Sequence, residues 1–141
     1  MAVHGVTDYL IVQMVDGNVV AIVNNGAGPI RASFTPSEPN YLCDGEWHTI
    51  QAIKTSNIVT VSVDGVFSEP AIGVAGVSST NTKDPLYIGG MPESEIFTKA
   101  GVETAQQFVG CMRFLELKNK PQSFAQSRVF GKVLLNTCPT I

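Results

Sequence analysis

Two Asp-Gly dipeptides, each closing a run of β-forming residues, constrain this chain more than any other feature. Tyr9-Leu10-Ile11-Val12-Gln13-Met14-Val15 ends at Asp16-Gly17, and Ile58-Val59-Thr60-Val61-Ser62-Val63 ends at Asp64-Gly65. Both residues of such a pair tolerate the positive φ that a two-residue hairpin turn requires. After the first turn, Asn18-Val19-Val20-Ala21-Ile22-Val23 returns. Its unbroken apolar character predicts a strand that is central or covered on both faces. In the second run, strict alternation puts Val59, Val61 and Val63 on a core face.

The same grammar continues along the chain. Ile30-Arg31-Ala32-Ser33-Phe34 alternates, Pro36 and Pro39 mark a loop, and Trp47 to Ile53 reads as a strand. Leu86-Tyr87-Ile88 is a short strand closed by Gly89-Gly90, and residues 92–106 read as a long loop. Phe108 to Leu117 reads as a strand in which Gly110 marks a bulge or close backbone approach. Asn119-Lys120-Pro121 is a turn, Gln122 to Arg128 forms a single helical turn, and Val133-Leu134-Leu135 is a last strand. Short strands with turn signals every 8–12 residues point to an all-β sandwich or barrel.

Length and composition narrow the class. A chain of 141 residues suits one domain, 1–141, with 44% apolar and 15% charged residues, the reverse of a disordered balance. No apolar run approaches the roughly 20 residues of a membrane span. Met1-Ala2-Val3-His4-Gly5 lacks the features of a signal peptide and reads as a tail. Either a secretion signal lies elsewhere in a longer parent chain, or the protein stays inside the cell. Residues 1–110 hold four basic and eleven acidic residues, whereas 111–141 hold five basic and one acidic. An acidic whole with a basic end argues against general nucleic-acid binding and leaves room for a small anion-binding patch.

Cys43, Cys111 and Cys138 form an odd set, allowing at most one internal disulfide and one leftover thiol. Cys111–Cys138 is the favoured pair, because it would staple the chain end. Loop-closure entropy gives that bond about 3.5 kcal/mol. Three free thiols in a reducing compartment is the alternative. No Cys/His spacing suits zinc. No third group completes a Ser/His/Asp set with His4 or His48. Asp44 and Glu46 sit in a turn, and no carboxylate pair stands out as a glycosidase set. Asn24–Gly28 lacks the Lys and Ser/Thr of a phosphate loop. The chain does not read as an enzyme.

Four motifs then follow in order: Asp44-Gly45-Glu46-Trp47-His48, Val61-Ser62-Val63-Asp64-Gly65, Leu86-Tyr87-Ile88-Gly89-Gly90 and Phe108-Val109-Gly110-Cys111-Met112, with Thr137-Cys138-Pro139 at the end. Each alone is common. Together they resemble the laminin G-like domain over nearly the whole chain. The resemblance implies an antiparallel β-sandwich of the jelly-roll, concanavalin-A-like kind. Asn24-Asn25-Gly26-Ala27-Gly28 and Leu42-Cys43-Asp44-Gly45 make the chain most similar to the C-terminal, fifth G-like domain of a laminin α chain. The family domain opens with strands that this chain lacks, so the resemblance implies a single domain over 1–141 without its first strands. The missing strands would leave an unpaired edge and exposed apolar surface, a liability for association.

The resemblance also implies a calcium site on one rim. Its ligands are the Asp8 carboxylate, the Asn25 and Ser79 carbonyls and the Asn81 side chain, with Asp84 nearby. So little anionic charge implies weak affinity, roughly 10⁻⁴–10⁻³ M. Around that rim, Arg31, Lys54, Lys83, Arg113, Lys118 and Lys120 are the basic residues that would hold sulfates by charge-assisted hydrogen bonds. The implied function is adhesion: a secreted basement-membrane module of the extracellular matrix. Its implied partners are cell-surface receptors (dystroglycan, integrins), heparan sulfate or other sulfated glycans, and other domains of a parent laminin chain. The second reading is a lectin-like or small-ligand-carrying sandwich. It would need an aromatic platform, for which Tyr9, Tyr41 and Tyr87 are available. Trp47 is expected in the core against the valine face, and His48 is expected to pack or hydrogen-bond in the sheet.

Overall fold

The computed structural model describes residues 2–4, 8–76, 86–90, 101–104, 106–129 and 131–138. They form two compact units, Met1–Gln107 and Phe108–Ile141. Every strand pairing among them is antiparallel, and none of these residues is in an α-helix. The protein is the all-β, jelly-roll type of antiparallel sandwich that the turn grammar and the motif order predict.

The first unit holds β1 (Ala2–His4), β2 (Tyr9–Val15), β3 (Asn18–Asn24), β4 (Pro29–Phe34), β5 (Ile50–Thr55), β6 (Ile58–Val63), β7 (Val66–Phe67), β8 (Ala71–Ile72) and β9 (Tyr87–Ile88). One sheet runs β4-β3-β2-β1-β9. The other runs β5-β6-β7, with β8 also on β6. The two Asp-Gly pairs turn as expected. Asp16 and Gly17 have φ of 50° and 79°, and Val15 faces Asn18 across the turn. Asp64 and Gly65 have φ of 50° and 82°, and Val63 faces Val66.

Val19, Ala21 and Val23 of β3 and Ile30 and Ala32 of β4 pack against Val59, Val61 and Val63 of β6, all of them buried. This is the core between the sheets. Val20 and Ile22 point the other way and join Tyr9 and Ile11 in a second buried cluster, with Val102 and Tyr87 against it. The unbroken apolar run of β3 is thereby explained, because both its faces are covered. The cover on the outer face is pinned by Gln13. Its side-chain nitrogen donates to the Gly101 carbonyl (2.9 Å), and its oxygen accepts from the Glu103 N–H (2.9 Å). A Cβ at Gly101 would stand 2.7 Å from the Tyr9 ring and 2.9 Å from Ile11 Cδ1, so only glycine lets this backbone approach so closely.

Three expectations are corrected in this unit. The opening residues are not a tail. β1 pairs with β2 from Ala2↔Val12 to His4↔Leu10, and with β9 on its other side. β1 covers that edge of β2, where free N–H and C=O groups would otherwise invite association. β5 starts at Ile50 rather than Trp47, since the ladder with β6 begins at Ile50↔Val63. Trp47 consequently lies outside the sheet and is 49% exposed, not packed on the valines.

In the second unit, β10 (Glu116–Leu117) and β11 (Lys120–Pro121) form a hairpin. Its turn residues Lys118 and Asn119 have φ of 51° and 60°. The strand expected over 108–117 shrinks to its last two residues, because Gly110 (φ 148°) and Phe114 (φ 56°) break the extended run. The expected strand at Val133-Leu134-Leu135 is absent. Gly131 (φ 71°) and Asn136 (φ 63°) bracket it too closely for pairing. The expected helical turn is a short 3₁₀ turn, Phe124–Gln126, capped by the Ser123 hydroxyl, which accepts from the Ala125 N–H. Cys111 and Cys138 are joined in a disulfide, and Cys43 is free and exposed.

Candidate functional site

The β2–β3 hairpin builds the rim from backbone register. Tyr9 stands opposite Asn24, so Asp8 and Asn25 arrive one step further at the same end of the sheet. The Asn24 side chain accepts from the Gly26 N–H at 2.9 Å, closing a tight Asx turn around Asn25. Gly26 has φ 94°, and a Cβ there would lie 3.7 Å from the Asp8 carboxylate, so this carboxylate sits over the turn. Asn25 is buried. A carboxylate and a carbonyl on neighbouring strand ends are hard oxygen donors of the kind calcium takes. Asp8 and Asn25 supply two donors of this type at one end of the sheet. Ser79, Asn81 and Asp84 lie outside the described residues.

Beside this rim is a groove of about 400 Å³ lined by Tyr9, Ile22, Asn24, Pro29, Arg31, Gly101 and Glu103. Arg31, one of the six expected sulfate contacts, is already engaged there. Its Nε and Nη2 donate to the two Glu103 carboxylate oxygens at 2.8 and 3.0 Å. That pair raises the guanidinium pKa and lowers the Glu103 pKa. An incoming sulfate would meet a guanidinium whose Nε–Nη2 edge is already held by a carboxylate.

The other basic residues are scattered. Lys54 on β5 donates to the Ser56 carbonyl (2.8 Å). In the second unit, Arg113 lies 5.1 Å over the Phe114 ring, while Lys118 and Lys120 share the β10–β11 hairpin. Lys83 lies outside the described residues. The structure therefore brings Lys118 and Lys120 together, sets Arg31 at the groove, and leaves Lys54 at the β5–β6 turn.

Each tyrosine offered for a sugar platform has another task. Tyr9 is buried under Gly101, Tyr87 packs on the same cluster, and Tyr41 donates its hydroxyl to Asp64 at 2.8 Å.

Sequence reasoning missed one cluster. His48 Nδ1 is 2.7 Å from Asp64 Oδ2, and Nε2 is 2.9 Å from Asp44 Oδ1. Asp64 Oδ1 also accepts from the Thr49 N–H (2.8 Å), and Asp44 Oδ1 accepts from the Glu46 N–H (2.8 Å). The Tyr41 ring tilts against the imidazole at 4.7 Å. Hydrogen bonds donated by the ring to Asp64 and Asp44 hold the His48 pKa above its ordinary value. Both carboxyls lie below theirs: Asp44 chiefly through the Glu46 N–H, Asp64 chiefly through His48. The available signal was Asp44 four residues before His48, followed by the second Asp-Gly turn. With both ring nitrogens taken by carboxylates, His48 has no nitrogen left to act as a base on a nucleophile. The cluster ties segments together.

The family model described as Laminin G domain matches residues 1–120. The chain is 39% identical to human laminin subunit alpha-1 over 140 residues, which is 94% of this chain and 4% of that protein. It is 35% identical to mouse laminin subunit alpha-4 over 142 residues, covering 98% of this chain and 8% of that protein. Among solved structures, the mouse laminin alpha1 chain, domains LG4-5, aligns with a TM-score of 0.80 and 34% identity, over 93% of this chain and 36% of that one. The chain thus spans only a small part of the length of these relatives.

Proposed function

The chain belongs to the laminin G domain family, and from that premise we propose that it is an extracellular-matrix adhesion module, a binding domain and not a catalyst. Its place is the secreted basement membrane, as part of a laminin α chain. Its ligands are acidic or sulfated glycans, such as heparan sulfate and the glycans of dystroglycan, together with integrin-linked contacts. The observation that carries this reading is the β2–β3 register, which brings Asp8 and Asn25 to one rim beside a groove. Calcium would be held there by Asp8 and the Asn25 carbonyl, with Ser79 and Asn81 as the further donors. When bound, the ion would supply a positive centre for a glycan carboxylate or sulfate. Lys118 and Lys120 are the proposed cationic contacts of the second unit. Arg31 contributes less, because Glu103 already offsets its charge.

A glycan array probed with the intact chain, with calcium and with a chelator, tests the reading. Binding to sulfated or dystroglycan-type glycans is expected, stronger with calcium. Absence of such binding at every calcium level overturns it. Selective binding of neutral sugars instead would favour the lectin-like reading.

A further inference from the structure

The imidazole of His48 lies between two carboxylates that come from different parts of the chain. Asp44 is in the loop before β5, and Asp64 is in the β6–β7 turn. A neutral imidazole has one N–H and one lone pair. It can donate to one carboxylate only, and its other nitrogen then faces an acceptor with an acceptor. Distances of 2.7 and 2.9 Å on both sides therefore call for the imidazolium form. Lone pairs on Asp64 are also taken by the Tyr41 hydroxyl and the Thr49 N–H, so its carboxylate has no proton to lend. The ring is largely shielded, with 10% of the side chain exposed, against 39% for Asp44 and 30% for Asp64.

We propose that Asp44, His48 and Asp64 form a proton-operated latch, in which the imidazolium ties the Trp47-bearing loop to the β6–β7 turn and loss of its proton frees one of the two carboxylates. Asp44 is the one released. Asp64 keeps Tyr41 and Thr49 as donors from other segments, whereas the backbone N–H donors to Asp44, those of Glu46 and of Asp44 itself, lie within its own loop. The ionisable groups against the ring are Asp44, Asp64 and the Tyr41 phenol. Glu38 acts on that phenol, and Asp64 and Asp44 both favour the charged ring. Between Glu46 and His48 stands Trp47, half exposed and the sole tryptophan of the chain. The latch therefore sets how a large aromatic surface is presented as a function of pH, whatever that surface meets. It does not rest on the adhesion reading.

The test is a pH titration of the intact chain from 5.5 to 9, reading Trp47 fluorescence and the ¹⁵N shifts of the His48 ring. The fluorescence is expected to change with one midpoint, above the roughly 6.5 of an unperturbed histidine. The ring should carry two N–H protons below that midpoint. In His48→Gln the fluorescence change should vanish. In Asp44→Asn, which keeps the ring and the size of the side chain, the midpoint should fall. His4→Gln should leave it in place. Fluorescence that is flat across the range, a change that survives in His48→Gln, or an unchanged midpoint in Asp44→Asn overturns the latch. If His48→Gln does not fold, Asp44→Asn decides alone.

Discussion

Gln13 carries an amide into an apolar sheet face, and its two hydrogen bonds make that placement stable. Gln13→Ala removes one donor and one acceptor, leaving the buried Gly101 carbonyl and the partly buried Glu103 N–H without them. Each such loss costs about 1–3 kcal/mol, so the urea midpoint should drop by the equivalent of about 2 kcal/mol or more. Gly101→Ala should destabilise by about 1–3 kcal/mol through overpacking against Tyr9 and Ile11. The His48 cluster predicts a pH profile. His48 is raised in the folded state, so its contribution is complete below about pH 6.5 and is lost as pH rises through the raised value. Asp44 and Asp64 are lowered, so theirs is complete above about pH 3.8 and is lost as pH falls through the depressed values. Urea midpoints across pH should therefore peak between these limits, and His48→Gln should flatten the alkaline side.

At the scale of elements, what the sequence disclosed depended on how local the determinant was. The Asp-Gly turns and the β6 alternation are written in neighbouring residues, and both were legible. Trp47 was misplaced because its environment depends on where β5 enters the ladder, which the distant Asp64 decides by taking Thr49 and His48. β1 was missed because three residues carry too little pattern, and its pairing is set by the exposed edge of β2. In the second unit, positive φ at Phe114 and Asn136 broke strands that propensity alone favoured. That unit depends on its cross-link, since Cys111–Cys138 closes a loop with a sequence separation of 27. Thiol titration of the unfolded, non-reduced chain should find one free thiol, from Cys43. Cys138→Ser should cost about 3.5 kcal/mol by loop-closure entropy, read as a loss of the second unit's protection from proteolysis.

For the whole molecule, the order of four weak motifs was more informative than any single site. It named a family, and the fold and the comparisons bear the family out. The rim was legible only in part. Asp8 and Asn25 came from the resemblance alone, and the hairpin register set by the Asp16-Gly17 turn puts both at one end of the sheet. Whether a basic residue is available for a ligand depends on partners far along the chain, as Glu103 shows for Arg31 across 72 residues. Arg31→Ala should therefore weaken sulfated-glycan binding less than the Lys118→Ala/Lys120→Ala double variant. Surface-plasmon measurements on immobilised heparan sulfate would rank them. The most direct test of the account is that same surface, titrated with calcium over the intact chain and over Asp8→Asn. The account predicts that wild-type binding rises with calcium at roughly 10⁻⁴–10⁻³ M, while the variant stays at its calcium-free level. Identical curves for the two proteins, or no binding by either, would contradict it.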